Sequence, residues 1–183
     1  GMGRWTAADI AALLKTGISA HSSASGPMAE VVLGSTQHLT DDDALAIGVY
    51  IKSLPATPAS TQRQKVAAAP AAMELGSKIY EQQCAQCHQA KGEGSGTAWP
   101  ALAGNPMVTA PSPVNVIRMV LDGGYAPATA ANPRPHGMPP FGQVLNDNDI
   151  AMLVSYLRNS WGNEAGGVTA LEVKRARAAS TLN

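Results

Sequence analysis

The stretch "YEQQCAQCHQAKGEG", residues 80–94, holds both cysteines of the chain, Cys84 and Cys87, with His88 directly after the second. Residues three apart at the end of a helix lie on one side of it. The two thiols therefore face one common partner, and the next residue adds an imidazole beside them.

The spacing C-x-x-C-H is that of covalent c-type haem attachment. Two thiols reach the two vinyl groups of one porphyrin, and the histidine comes to lie beneath the iron. Three other uses fit less well. A redox dithiol belongs with strands and βαβ units, and no such pattern is legible here. A structural zinc site takes four protein ligands, and Cys84, Cys87 and His88 leave one short. A disulfide across so short a spacing is geometrically poor and would stabilise little.

The composition agrees with a bound cofactor. The chain is 45% hydrophobic but only 4% aromatic, with a single Phe. Its core is short of large side chains, and a large flat cofactor supplies the missing apolar area. Lys and Arg number 13, as do Asp and Glu, so no field draws nucleic acid or an anionic membrane and no nucleic-acid partner is expected. Lys174, Arg175 and Arg177 read as a solvated helix face or tail. No apolar run reaches the roughly eighteen residues of a membrane span. The start lacks a basic-then-apolar leader pattern, and Gly1 before Met2 reads as a cleavage scar.

Helical periodicity dominates and no alternating strand stands out, so an all-α fold is expected. Thr6 with Asp9, Thr40 with Asp43, Asn146 with Asp149 and Thr169 with Glu172 each mark a capped helix start. Asp41, Asp42 and Asp43 are then a helix N-terminus, not a metal site. Ile150, Leu153, Val154 and Leu157 form one apolar face. Leu75, Ile79 and Tyr80 mark another, with Gly76 leaving room for a close helix crossing against Leu153, Tyr156 and Leu157.

An internal repeat organises the chain. "LTDDDALAIGVYIKS" (39–53) matches "LNDNDIAMLVSYLRN" (145–159) at an offset of 106, and "DIAALLKTG" (9–17) falls on "NVIRMVLDG" (115–123) at the same offset. Matching helix signals at one offset suggest duplicated domains. The first copy has no C-x-x-C-H, so the chain is expected to begin partway through a domain. Residues 4–54 are read as a truncated domain, 55–70 as a Pro- and Ala-rich linker, 71–160 as an intact domain and 161–183 as an extension with a short helix.

"PHGMPPFG" (135–142) offers Met138 as the sixth iron ligand, 50 residues after His88. Flanking prolines stiffen the loop and lower the cost of holding a long side chain in place. A thioether favours ferrous iron and suits an electron carrier. His136 is the runner-up ligand. Met73, Met107, Met119 and Met152 read as core gap-fillers, and His21 and His38 as surface or structural residues. Pro100 is a candidate to accept the proton of His88 Nδ1 on its carbonyl, the alternative being a plain turn, and Leu102 and Trp99 read as pocket walls.

"IYEQQCAQCHQAKGEG", "PALAGNP", "GMPPFGQVLNDNDIAMLVSYLRNSWGN" and "VTALEVKRARA" together resemble a class I cytochrome c domain. More narrowly, they resemble the last haem domain of the multihaem cytochrome subunit of membrane-bound bacterial dehydrogenases for alcohol, gluconate, nicotinate and similar substrates. "GPMAEVV" with "LTDDDALAIGVYIKSLP" resembles the end of the preceding haem domain. The resemblance implies a cytochrome c fold and periplasmic attachment of haem c through Cys84 and Cys87, with His88 proximal and Met138 distal. It implies a dehydrogenase subunit as electron donor and quinone or a terminal oxidase as acceptor. Met28 would correspond to the distal ligand of the preceding haem, which lacks its attachment motif here.

The expected function is thus electron transfer through one haem, with no catalysis by this chain itself. The alternative is a haem enzyme or ligand sensor of peroxidase type, with an open or labile sixth site. In residues 4–54, Ile10, Leu13, Leu14, Val31, Val32, Ile47, Ile51 and Leu54 are patterned for burial. Packing on the intact domain, or self-association through residues 4–54, is expected to cover them.

Overall fold

The structure, a computed structural model, describes residue 3 and residues 5–55, 66–96 and 98–180. Most of the predicted linker at 55–70, Arg4 and the last three residues of the predicted extension lie outside them. Among the described residues the regular elements are eight α-helices, a 3₁₀ turn and two strands of two residues each, so the fold is all-α.

The chain divides into two compact units, residues 1–60 with 124–137 and residues 61–123 with 138–183. The sequence reading took 71–160 as one domain; residues 124–137 instead fold with the first unit. Two local interactions account for this. Thr129 Oγ1 donates to the Thr16 carbonyl at 3.2 Å, and Pro127 packs on the bare Cα of Gly17.

The first unit contains α1 (Ala7–Thr16), α2 (Pro27–Gly34), the 3₁₀ turn (Thr36–His38) and α3 (Asp41–Ser53). Thr6 and Asp9 form the expected capping box at α1, and Thr40 caps α3 through the Asp43 amide. Trp5, Ile10, Ala24, Val32 and Ala44 are buried. The apolar pattern is only partly covered: Ile10 and Val32 are buried, but Val31, Ile47 and Leu54 are exposed, as is Tyr50.

The second unit contains α4 (Pro70–Gln83), α5 (Ala85–His88), α6 (Val114–Asp122), α7 (Asp147–Asn159) and α8 (Ala170–Ser180). The helix α7 has the same length as α3, and both its ends are displaced by the repeat offset of 106. Its predicted face is fully inside: Ile150, Leu153, Val154 and Leu157 are all buried. The helix α4 crosses α7 at Gly76, where a side chain would strike the Met152 carbonyl and the Tyr156 Cβ. Tyr80 is buried and its ring lies 5.7 Å from that of Tyr156 and 4.9 Å from that of Trp161. Leu75, expected on the same face, is exposed.

The extension after residue 160 belongs to this core. Val173 and Ala176 of α8 are buried. Ser155 Oγ accepts from the Val168 amide at 2.8 Å, tying the segment before α8 to α7. Arg177 is not solvated as its sequence context suggested. It donates from Nε to Asp147 Oδ1 at 2.8 Å and from Nη2 to the Leu145 carbonyl at 3.2 Å.

Truncating Leu153 to Ala should lower stability by about 2–5 kcal/mol, because it removes buried methyl groups and leaves a cavity. Leu54→Ala, on the exposed end of α3, should stay within about 0.5 kcal/mol. Urea unfolding of the two variants beside wild type checks both, and equal losses would contradict the burial described here.

Candidate haem-attachment site

Cys84 sits where α4 ends. Its φ of −122° breaks the helix, while its amide still donates to the Tyr80 carbonyl at 2.9 Å. The Cys84 carbonyl then accepts both the Cys87 amide at 3.1 Å and the His88 amide at 2.9 Å. One carbonyl thus gathers the two cysteines and the histidine into a single turn. Gln89 leaves that turn with φ 64°, an uncommon value for a residue with a side chain. Tyr80 secures it, its hydroxyl donating to the Gln89 carbonyl. Burial, then the Cys84 thiol nearby, hold the Tyr80 phenol far above its usual pKa, so it remains a donor.

His88 Nδ1 lies 2.9 Å from the Pro100 carbonyl oxygen. A carbonyl has no proton to give, so Nδ1 carries the hydrogen. Burial holds the imidazole below its ordinary pKa, against the opposing pull of the Pro100 carbonyl. The ring is therefore neutral near pH 7, and its Nε2 keeps a lone pair for a metal.

Bringing Pro100 to His88 requires a tight return of the chain. Gly94, at φ 68°, makes the approach possible: a Cβ there would collide with the backbone of Trp99, Pro100 and Ala101. The His88 carbonyl accepts the Gly94 amide at 3.0 Å, and the Gly92 carbonyl accepts the amides of Leu102 at 2.7 Å and Ala103 at 3.0 Å. Asn163, buried, donates to the carbonyls of Leu102 at 3.0 Å and Leu157 at 2.8 Å and accepts from the Gly104 amide at 2.8 Å.

Cys84 is buried within the apolar core of this unit, and Leu102, Met138 and Phe141 pack against that same core. Cys87, half-buried, and Cys84 are free thiols. Burial, reinforced by Cys87, pushes the Cys84 thiol up to about 12. A redox dithiol needs the opposite shift. Among the described residues no three His, Cys, Asp or Glu side chains gather as a metal-binding cluster.

Met138 is half-buried, and Gly123 (φ 66°) sets its loop: a side chain there would collide with the backbone of residues 138–140. The next amides, Phe141 and Gly142, donate to the carbonyls of Val120 at 2.9 Å and Leu121 at 3.0 Å. The runner-up His136 is exposed, as are His38 and Met28, which lies on α2. His21 Nε2 is 3.5 Å from the Asp9 carboxylate and its ring is 5.5 Å from Trp5, a structural placement. Trp99 is half-buried.

Sequence reasoning missed the polar side chains that hold the irregular segments. Arg158 is buried on α7. Its Nη1 donates to the carbonyls of Val108 at 2.7 Å and Ala110 at 2.9 Å, and its Nε to Gly166 at 2.9 Å. The available signal was an arginine directly beside the apolar stripe of α7. For Asn163 no sequence signal exists, because its partners are backbone groups of three separate residues, Leu102, Gly104 and Leu157. Replacing Arg158 by Met would strand those carbonyls in the interior, at about 1–3 kcal/mol each. A loss of at least about 2 kcal/mol in urea unfolding is expected, and a neutral result would contradict the bonding described.

Residues 73–161 match the family described as Cytochrome c. The cytochrome c subunit of alcohol dehydrogenase (quinone) from Gluconacetobacter polyoxogenes is 38% identical over 186 residues, 97% of this chain and 40% of that protein. The gluconate 2-dehydrogenase cytochrome c subunit of Pantoea cypripedii is 39% identical over 191 residues, 100% of this chain and 43% of that protein. The fructose dehydrogenase cytochrome subunit of Gluconobacter japonicus is 33% identical over 204 residues, 97% of this chain and 41% of that protein. The chain spans about two-fifths of the length of these relatives. No helix among the described residues is long and apolar enough to cross a membrane.

Proposed function

Because the chain belongs to the cytochrome c family through residues 73–161, we propose that it transfers electrons through one covalently held haem c. Cys84 and Cys87 attach the group, His88 Nε2 is the proximal ligand and Met138 sulfur the distal one. Bound haem supplies a reversible one-electron ferric–ferrous couple. The observation that carries this reading is the His88–Pro100 hydrogen bond, which fixes the imidazole as the Nδ1–H tautomer and frees Nε2 on the C-x-x-C-H turn.

The remaining residues fit the same role. Pro100 orients the imidazole and strengthens it as a donor to the metal. Leu102 and the apolar core around Cys84 exclude water, which keeps charge on the iron from being fully solvated and raises the potential. A thioether at Met138 acts in the same direction. With His88 and Met138 both holding the group, the chain would pass electrons and leave substrate chemistry to a partner.

The partner is a dehydrogenase subunit, as the relatives' names suggest for those proteins. The acceptor is quinone or a terminal oxidase, and the location is the periplasm or the periplasmic face of the inner membrane. The exposed Val31, Ile47, Tyr50 and Leu54 support self-association through residues 4–54.

The test is the visible spectrum of haem-loaded protein in both oxidation states, beside Met138→Ala. Wild type should be low-spin, with a ferric sulfur–iron band that vanishes in the variant, and the ferrous wild type should bind carbon monoxide slowly. A wild type without that band, or one that takes up carbon monoxide as fast as Met138→Ala, would replace electron transfer by the open-site reading.

A further inference from the structure

We propose that Arg177, on a helix outside the residues that match the family, is a positioning residue for Met138. This rests on the reading of Met138 as the distal ligand.

The loop that follows Met138 is held from two sides. On one side the amides of Phe141 and Gly142 donate to the carbonyls of Val120 and Leu121 at the end of α6, at 2.9 Å and 3.0 Å. On the other side lies the half-buried Arg177. Its Nη1 donates to the Gly142 carbonyl, its Nη2 to the Leu145 carbonyl at 3.2 Å, and its Nε to Asp147 Oδ1 at 2.8 Å. One rigid guanidinium therefore spans the loop from its fourth residue after Met138 to the first residue of α7. A lysine, with a single ammonium, cannot hold that fork.

The helix that carries Arg177 is itself well fixed. Val173 and Ala176 are buried. Thr169 and Glu172 cap the start, with the Thr169 amide donating to Glu172 Oε2 at 2.9 Å. Ser180 Oγ donates to Asp122 Oδ2 at 2.8 Å near the other end. The guanidinium is thus a preorganised anchor. Without it the loop loses its anchor at Gly142, Leu145 and Asp147, and Met138 gains freedom to leave the iron while the helices stay folded.

The test uses haem-loaded protein as wild type, Arg177→Gln, Arg177→Lys and Val173→Ala. The ferric sulfur–iron band and the helical circular dichroism are followed through one urea series, and carbon monoxide binding to the ferrous form is timed in buffer. In Arg177→Gln the band should disappear at lower urea than the helix signal. Carbon monoxide binding should quicken on the order of ten-fold, the ratio expected for losing a charge-assisted hydrogen bond. Arg177→Lys should recover part of the band's resistance, since it keeps the pairing with Asp147. Val173→Ala weakens the same helix without touching the fork, and should lose band and helix together. If Arg177→Gln also loses both together, with carbon monoxide binding unchanged, the proposal fails and Met138 stands as ligand. If wild type shows no band, the ligand reading fails and this proposal falls with it.

Discussion

The hydrogen bond from His88 Nδ1 to the Pro100 carbonyl, 2.9 Å long, is the constraint around which the second unit is arranged. A histidine on a four-residue helix has little of its own to fix its ring. The partner comes from twelve residues further on, and reaching it forces the chain to double back on itself. Gly94 is needed because the backbone of residues 99–101 passes where a side chain would be. The Gly92 carbonyl, accepting two amides, and Asn163, bonding on both its amide atoms, hold the returning strand of chain. Each of these satisfies backbone groups that no regular helix or sheet would satisfy.

The same logic explains the two arginines. Long irregular segments join the helices of this unit, and their carbonyls need donors in the interior. Arg158 supplies three such bonds to the segments around residues 108–110 and 166. Arg177 supplies the Met138 loop. Guanidinium is suited to this work because it is planar, offers several donors and remains charged. The apolar residues set how the helices pack, and the two arginines set where the loops lie between them.

Much of this was legible in the sequence because it rests on short-range rules. Thr6, Asn146 and Thr169 meet their acidic partners within one helical turn, and the face of Ile150, Leu153, Val154 and Leu157 follows from periodicity alone. The pairing of His88 with Pro100 was legible only as a candidate, because an imidazole expected to bind a metal calls for an acceptor at its other nitrogen. The fold of residues 124–137 with the first unit was not, since it depends on Thr129 and Thr16 meeting across more than a hundred residues. Arg177 was misread for the same reason: its acceptors lie some thirty residues earlier and leave no periodic trace. Exposure of Val31, Ile47 and Leu54 was equally hidden, because an apolar pattern does not tell which of its residues the fold covers.

The most direct measurement of the central claim is the intact mass and peptide map of the protein matured in a host that attaches haem, beside Cys84→Ala and Cys87→Ala. The account predicts the added mass of one haem, carried on the peptide that holds Cys84, Cys87 and His88, with the mass of a fully attached species lost when either thiol is removed. A folded wild-type protein with both thiols unmodified after such maturation would contradict it.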